Sequence, residues 1–338
     1  MLRSDPAARP LPAGVRDPLS RRRFLARLGL LTGAAVVAPL ALRSRGGRPE
    51  TVQAGRAALG TWMRVAVRDA DPARARRAIE AAFAAVRRVD AEMSVHRADS
   101  QLSSVNHAAG RGAVRVDESL RRVVTIALDA TQRSGGAYDI TVLPLMRLYG
   151  FYDSGRSTPP TAREVDAVLG RMGSREVRLD DGAGTLALMR AGSGIDLGSI
   201  GKGWAVDRAV DAIRAQGVGS ALVDLGGNVY GLGTPEDGGA GWTVGVFHPV
   251  TGALDHTFVL RDAAVATSGD SEQTHTLGPL TVGHLFDAKH GVPANGHLSA
   301  SVMAKTGVES DVMSTTAFVL GPDRFRGWPG ALETRYIG

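Results

Sequence analysis

The sequence contains no cysteine. That excludes disulfides, thiolate catalysis, cysteine-ligated zinc, iron–sulfur clusters and a lipidated N-terminal cysteine. Aromatic residues make up only 5% of the chain, and lysine occurs only at Lys202, Lys289 and Lys305. No apolar run reaches the ~20 residues that span a bilayer as a helix. No unit of 20–50 residues repeats, and the 43 glycines follow no Gly-X-Y period, which excludes collagen. What remains is 338 residues, 43% hydrophobic and 22% charged. That is enough for one large domain or two ordinary ones, with a buried core.

The net charge of +6 invites a nucleic-acid reading, which its distribution removes. Residues 1–50 hold ten arginines against Asp5, Asp17 and Glu50, so the rest of the chain is close to neutral. A near-neutral body offers no electrostatic footprint to phosphate backbones. The basic segment reads Ser20-Arg21-Arg22-Arg23-Phe24-Leu25, then an apolar stretch from Leu28 to Leu42, then Arg43-Ser44-Arg45. An arginine pair followed by Phe-Leu and a short, weakly hydrophobic stretch is the twin-arginine export pattern. The expectation is an export signal and linker over residues 1–48 and a body over 49–338. That body would work in the periplasm or on the outer face of the cytoplasmic membrane. Pro39 spoils the visible cleavage sites, so the segment could also stay as a membrane anchor. The alternative is a basic helix packed on the body.

Within the body, Thr61–Arg68 alternates like a strand. Pro72–Ala91 reads as a helix, with Asp71 as N-cap and Ile79, Phe83, Val86 and Val89 at helical spacing. Glu118–Ser134 is a second helix, closed by Gly135-Gly136. Thr161–Met172 is a third, with Glu164 three residues after Thr161. Val177–Leu179 and Leu186–Met189 form a hairpin around Asp181-Gly182. Lys202–Gln216 is a fourth helix. Strands follow at Ala221–Asp224, Thr243–Phe247, His256–Leu260, Val265–Thr267, Gly283–Asp287 and Ser299–Met303, and a last helix begins near Ser310. Few neighbouring strands are joined by long helices. The expected class is therefore α+β, with mixed or mostly antiparallel sheets and flanking helices.

Gly192 to Gly203 is a glycine-rich turn entering a helix. It fails the Walker A pattern, because Asp196 stands where the first glycine is needed and Gly203 replaces Ser/Thr. It fails the dinucleotide fingerprint, because Leu197 stands at the third glycine. Glycines still let backbone amides approach a ligand, and a helix N-terminus attracts anions. A rare lysine there, Lys202, supplies a compact charge suited to phosphate. A tight turn with a surface lysine fits the same pattern. Asp311 and Thr315 are four apart at a helix start and share a face. A carboxylate and a hydroxyl are hard oxygen ligands of the kind Mg²⁺ takes, although Asp311 alone is equally a helix-start charge.

Together these segments resemble the ApbE family of FAD:protein FMN transferases, from about Gly60 to Gly321. The carrying stretches are Gly60-Thr61, Glu92 to Ser94, Ser100 to Asn106, Gly136 to Val142, Ile195 to Asp207, Leu222 to Asn228, Thr267 to Gly269, His284 to Asp287 with Gly291 to Pro293, and Ser310-Asp311 with Thr315. The resemblance implies an ApbE-like, T-fold-like architecture and an enzyme that transfers FMN from FAD to a Thr or Ser hydroxyl of an acceptor protein, releasing AMP. It also implies a Mg²⁺ site on the Ser199 carbonyl, Asp311 and Thr315, and a flavin site on Met93, Ala137, Tyr138, Asp139, Asp196, Lys202 and Phe286. Thr267-Ser268-Gly269 would form a turn near the flavin or phosphate. His284 matches the family histidine and becomes the candidate for catalysis. An imidazole titrating near neutrality suits proton transfer. Asp287 would orient His284 or hold the turn that follows.

The chain departs from the family in places. Asp287-Ala288-Lys289-His290-Gly291 replaces the common Asp-Pro-x-Thr-Gly. Ser199 stands where glycine is common, and Asp270-Ser271-Glu272 replaces the usual aromatic after Ser268-Gly269. Ser314 stands where some members have a second acid. The alternatives are an FAD-binding protein or FAD pyrophosphatase with little transfer, and a maturation partner of an exported metalloenzyme such as nitrous-oxide reductase.

Overall fold

Seven strands form one antiparallel sheet whose spatial order is their order along the chain. They are β1 (Glu50–Ala58), β2 (Thr61–Asp69), β3 (Ala221–Leu225), β4 (Asn228–Leu232), β5 (Ala263–Gly269), β6 (Ser299–Ala304) and β7 (Glu333–Ile337). The computed structural model describes residues 49–152, 155–269 and 273–338. The twin-arginine motif expected over residues 1–48 lies outside the described residues.

Seven helices are described: α1 (Pro72–Met93), α2 (Gln101–His107), α3 (Glu118–Arg133), α4 (Leu143–Leu148), α5 (Ala162–Leu169), α6 (Gly201–Ala215) and α7 (Gly307–Phe325). The long helices α1, α6 and α7 pack on one face of the sheet. In β2 the alternation puts Met63, Val65 and Val67 under α1 and leaves Arg64 exposed. Asp71 starts α1 by accepting from Ala73 N at 2.8 Å, with Pro72 in the first turn. Thr161 and Glu164 close a capping box on α5. On the other face lies a hairpin, Trp242–Phe247 with Leu254–Leu260. Its Trp242, Val244 and Phe258 pack on Leu222, Val229 and Val265.

The chain between β2 and β3 builds a lobe of α2 to α5 and a three-stranded sheet, and Leu120, Val123, Leu186 and Ile195 carry the main core into it. The chain between β5 and β6 adds two small hairpins, Thr274–Leu277 with Leu280–Gly283 and Phe286–Asp287 with Val292–Pro293. Leu277, Val282 and Phe286 pack against Leu145, Met146 and Tyr149 of that lobe.

The α+β, antiparallel expectation holds. Three local expectations change. Gly283–Asp287 is not one strand. Gly283 pairs with Thr274 and Phe286 with Pro293 in separate hairpins, which leaves His284 in a bend. Thr267-Ser268-Gly269 is no turn but the end of β5, paired with Ser299 to Ser301. The last helix begins at Gly307, before Ser310, because Thr306 and Glu309 form a capping box.

Candidate functional site

Helices α6 and α7 cap each other. Nothing on the local chain caps the N-terminus of α6 with a side chain. Instead, Gly203 N in its first turn donates to Asp311 Oδ2 of α7 at 2.8 Å. In return, Asp207 of α6 accepts from Gly307 N at 2.6 Å and Val308 N at 2.9 Å at the start of α7. Each carboxylate meets amide groups that a helix start would otherwise leave unpaired. The close approach needs glycine on both sides. A Cβ on Gly203 would stand 2.2 Å from Gly307 O, and one on Gly307 would stand 2.6 Å from Gly203 O.

The loop leading into α6 is held from three directions. The Asn106 amide brackets Ile195, donating to its carbonyl at 2.9 Å and accepting from its N–H at 2.8 Å. Asp196 N donates to Ile140 O. The Asp196 carboxylate accepts from Gly198 N at 2.8 Å and from the Tyr152 hydroxyl at 2.6 Å. Ser199 Oγ donates to the Tyr138 hydroxyl at 3.1 Å. Lys202 Nζ donates to Gly198 O at 3.4 Å, folding back over the loop.

Asp311 is 3% exposed. Burial pushes its carboxyl pKa up, while Lys202, Gly203 N and the Asn228 side chain pull it down by favouring the charge. One turn on, the buried Thr315 Oγ1 lies 3.1 Å from Ser268 Oγ of β5, which also meets Ser314 Oγ at 2.9 Å. Carboxylate, hydroxyl and carbonyl oxygens suit a hard cation. Among the described residues no three His, Cys, Asp or Glu side chains gather to hold a metal, so Asp311 is the carboxylate such a site would rest on.

His284 lies within the field of Lys202. Burial, and next that lysine, lower its pKa to about 4, so the ring is neutral at pH 7. Its Nδ1 is buried and has no partner among the described residues. Asp287 does not orient it. That carboxylate accepts from Lys289 N and His290 N and pairs with His290 Nδ1 at 2.7 Å. It holds the following turn, the second of the two roles expected of it.

The structure thus gathers Tyr138, Ser199, Lys202, His284, Asp311 and Thr315 around the α6 entrance. Ala137 O accepts from Ala288 N, tying the 137–139 segment to the chain that carries His284 and Phe286. Phe286 packs against Tyr149 and Phe151, with ring centroids 4.9 and 5.9 Å away. Met93 ends α1, buried in the main core that also holds Tyr138. Asp139 turns inward to its own loop, accepting from Thr141 N and Thr141 Oγ1, and burial pushes its pKa up. Sequence reasoning gave no role to Asn228, Tyr152 or Asp207, and it placed Ser268 only in a turn near the flavin or phosphate. Asn228 and Asp207 sit in motifs that carry the resemblance, and that was their only signal.

The ApbE family model matches residues 59–334. The FAD:protein FMN transferase of Treponema pallidum is 33% identical over 310 residues, covering 85% of this chain and 85% of the relative. One from Klebsiella pneumoniae is 31% identical over 245 residues, covering 72% and 75%. The crystal structure of the ApbE protein from Thermotoga maritima superposes with a TM-score of 0.76 at 28% identity, covering 85% of this chain and 94% of that one.

Proposed function

Because the chain belongs to the ApbE family, we propose that it is an FAD:protein FMN transferase acting on a Thr or Ser hydroxyl of an acceptor protein. The acceptor oxygen bonds to the flavin-side phosphorus of FAD, the pyrophosphate P–O bond breaks, AMP leaves, and the hydroxyl proton goes to a base. The observation that carries this is the meeting of Lys202, Asp311 and His284 at one helix entrance, in a chain that aligns with named transferases over most of its length.

Lys202 and the amides at the α6 entrance would face the pyrophosphate. Ser199 O, Asp311 and Thr315 would hold Mg²⁺, and their all-oxygen donor set and the buried Asp311 carboxylate fit it. Bound there, the ion would neutralise charge spread over the phosphates. His284 is the candidate base. It is neutral and has an open ring nitrogen. Negative charge arriving beside Lys202 raises its proton affinity when it is needed. Met93, Ala137, Tyr138, Asp139, Asp196 and Phe286 would form the flavin side.

Incubation with FAD, Mg²⁺ and a candidate acceptor, read by intact mass, tests the reading. The expected product is acceptor heavier by FMN less water, with one AMP released per event. AMP and free FMN without that mass increase would make the enzyme a pyrophosphatase instead.

We further propose that the protein is exported folded, which rests on Arg21-Arg22 and Phe24-Leu25 alone. Replacing both arginines by lysine should leave the protein in the cytoplasm. Unchanged fractionation would refute export by this route.

A further inference from the structure

The turn between β3 and β4 fixes one more polar side chain against Asp311. That hairpin closes over two residues, Gly226 and Gly227, both left-handed at φ +59° and +89°. Glycine takes both positions without strain, and a Cβ on Gly226 would stand 2.6 Å from Thr61 Oγ1. Gly227 N donates to Asp224 Oδ1 at 3.0 Å, and Gly226 N donates to Trp62 O at 3.2 Å. The next residue, Asn228, opens β4 and is 3% exposed. Its position is therefore set by the bonded turn before it and by its pairing with Leu225.

The two ends of the Asn228 amide differ. The side chain lies on the Asp311 carboxylate and favours its charged form. A carboxylate only accepts, so the amide nitrogen donates and Oδ1 turns away. That Oδ1 is buried and has no partner among the described residues. A buried carbonyl oxygen left unpaired is costly, and an apolar side chain of the same shape would avoid the cost. The cost is offset if a donor enters the site with a ligand. The strand of Asn228 lies against α7, where the hydroxyls of Ser314 and Thr315 meet that of Ser268 within a turn or so of Asp311, so the local chemistry is that of a hydrated hard cation.

We propose that Asn228 is a positioning residue of the candidate metal site: its Nδ2 aims the Asp311 carboxylate, and its Oδ1 accepts from a water carried in on a divalent cation. This rests on the magnesium reading given above. Hydrogen bonds to ligating carboxylates tune a site, and their loss typically lowers metal affinity ~10–100-fold.

The test uses Mn²⁺ as the probe, the full chain without FAD, and free Mn²⁺ measured by electron paramagnetic resonance, with thermal melts alongside. Asn228→Ser removes both arms and should weaken Mn²⁺ binding ~10–100-fold while circular dichroism stays that of wild type. Asn228→Asp keeps the shape but sets a second carboxylate against Asp311. Its melting temperature should fall without metal, and Mn²⁺ should raise it by more than it raises that of wild type. Wild-type Mn²⁺ affinity in folded Asn228→Ser would overturn the proposal and leave the metal reading standing. If Asn228→Ser does not fold, an Asn228→Asp melt that Mn²⁺ shifts no more than wild type overturns it equally. A wild type that binds neither Mn²⁺ nor Mg²⁺ removes the metal reading, and this proposal with it.

Discussion

The main-chain N–H of Gly203 donates to Asp311 Oδ2 at 2.8 Å, across 108 positions of sequence. One carboxylate therefore closes the start of α6 and stands at the candidate metal site. Structure and chemistry compete for its two oxygens, and variants there can separate the two.

Asp311→Asn should uncouple them. The amide oxygen can still accept from Gly203 N, and a desolvated charge disappears. The protein should melt at or above the wild-type temperature, because burial disfavours the charged carboxylate. Metal-dependent FMN transfer should fall by at least ~10–100-fold. Near-normal transfer at low Mg²⁺ would remove Asp311 from the metal site.

Gly203→Ala should do the reverse. Its Cβ would meet Gly307 O at 2.2 Å and Asp311 Cβ at 2.6 Å, and neither neighbour can swing away. Forcing α6 off α7 should cost about 1–3 kcal/mol in urea unfolding. Transfer should drop with it. Unfolding within ~0.5 kcal/mol of wild type would mean the helices tolerate more separation than the contact suggests.

His284→Ala should lower transfer ~10²–10⁴-fold while FAD affinity, read by flavin fluorescence, changes far less. The wild-type acid limb in kcat/KM should lie near pH 4, where burial and Lys202 have put the imidazole, and not near 6.5. Stability carries the same signature. The folded pKa is depressed, so this group's contribution is complete above about 6.5 and is lost as pH falls toward about 4. Normal transfer by FAD-saturated His284→Ala would make the residue structural.

Asp207→Asn tests the other cap. An amide offers one acceptor oxygen where Gly307 N and Val308 N now use two, so a loss of about 0.5–2 kcal/mol is expected. Burial raises the Asp207 pKa to about 6. Its contribution is therefore complete below 3.8 and is lost as pH rises through about 6, opposite in sign to that of His284. Stability curves measured from pH 4 to 7 should lose this component in the variant.

Much of this architecture is legible in local chemistry. Asp71-Pro72 marks the start of α1, Thr161 and Glu164 the start of α5, and Asp181-Gly182 the hairpin between Val177–Asp180 and Thr185–Leu188. Strand β4 leaves no alternation to read, because every residue from Asn228 to Leu232 is buried. Strand β1 is hidden for the opposite reason. Gly55, Ala57 and Ala58 contribute little apolar contrast, and most of its residues are exposed. The break at His284 is decided by two separate local hairpins, one on each side of it, and the run from Gly283 to Asp287 does not show where one stops and the next starts.

At the site, the glycine run before α6 and the Asp311/Thr315 spacing can be read directly. The mutual capping of α6 and α7 cannot. Its partners for Asp207 and Asp311 are backbone amides of Gly307, Val308 and Gly203, and an amide leaves no residue-type signal. Asn228 is hidden in the same way, because its task becomes visible only when β4 is set beside α7.

The order of the central sheet carries a consequence for how the chain folds. Strands β3 to β7 follow one another with modest insertions, whereas β2 reaches β3 only after residues 70–220 have been laid down between them. Loop closure costs entropy that grows with the logarithm of the enclosed length, and distant pairings slow folding. The C-terminal half of the sheet should therefore form the nucleus, with the β1–β2 hairpin joining last. In hydrogen exchange, amides of β3 to β6 should open only with the whole molecule, while those of β1 exchange by a smaller, earlier opening. The two edges of one continuous sheet would then report two different free energies.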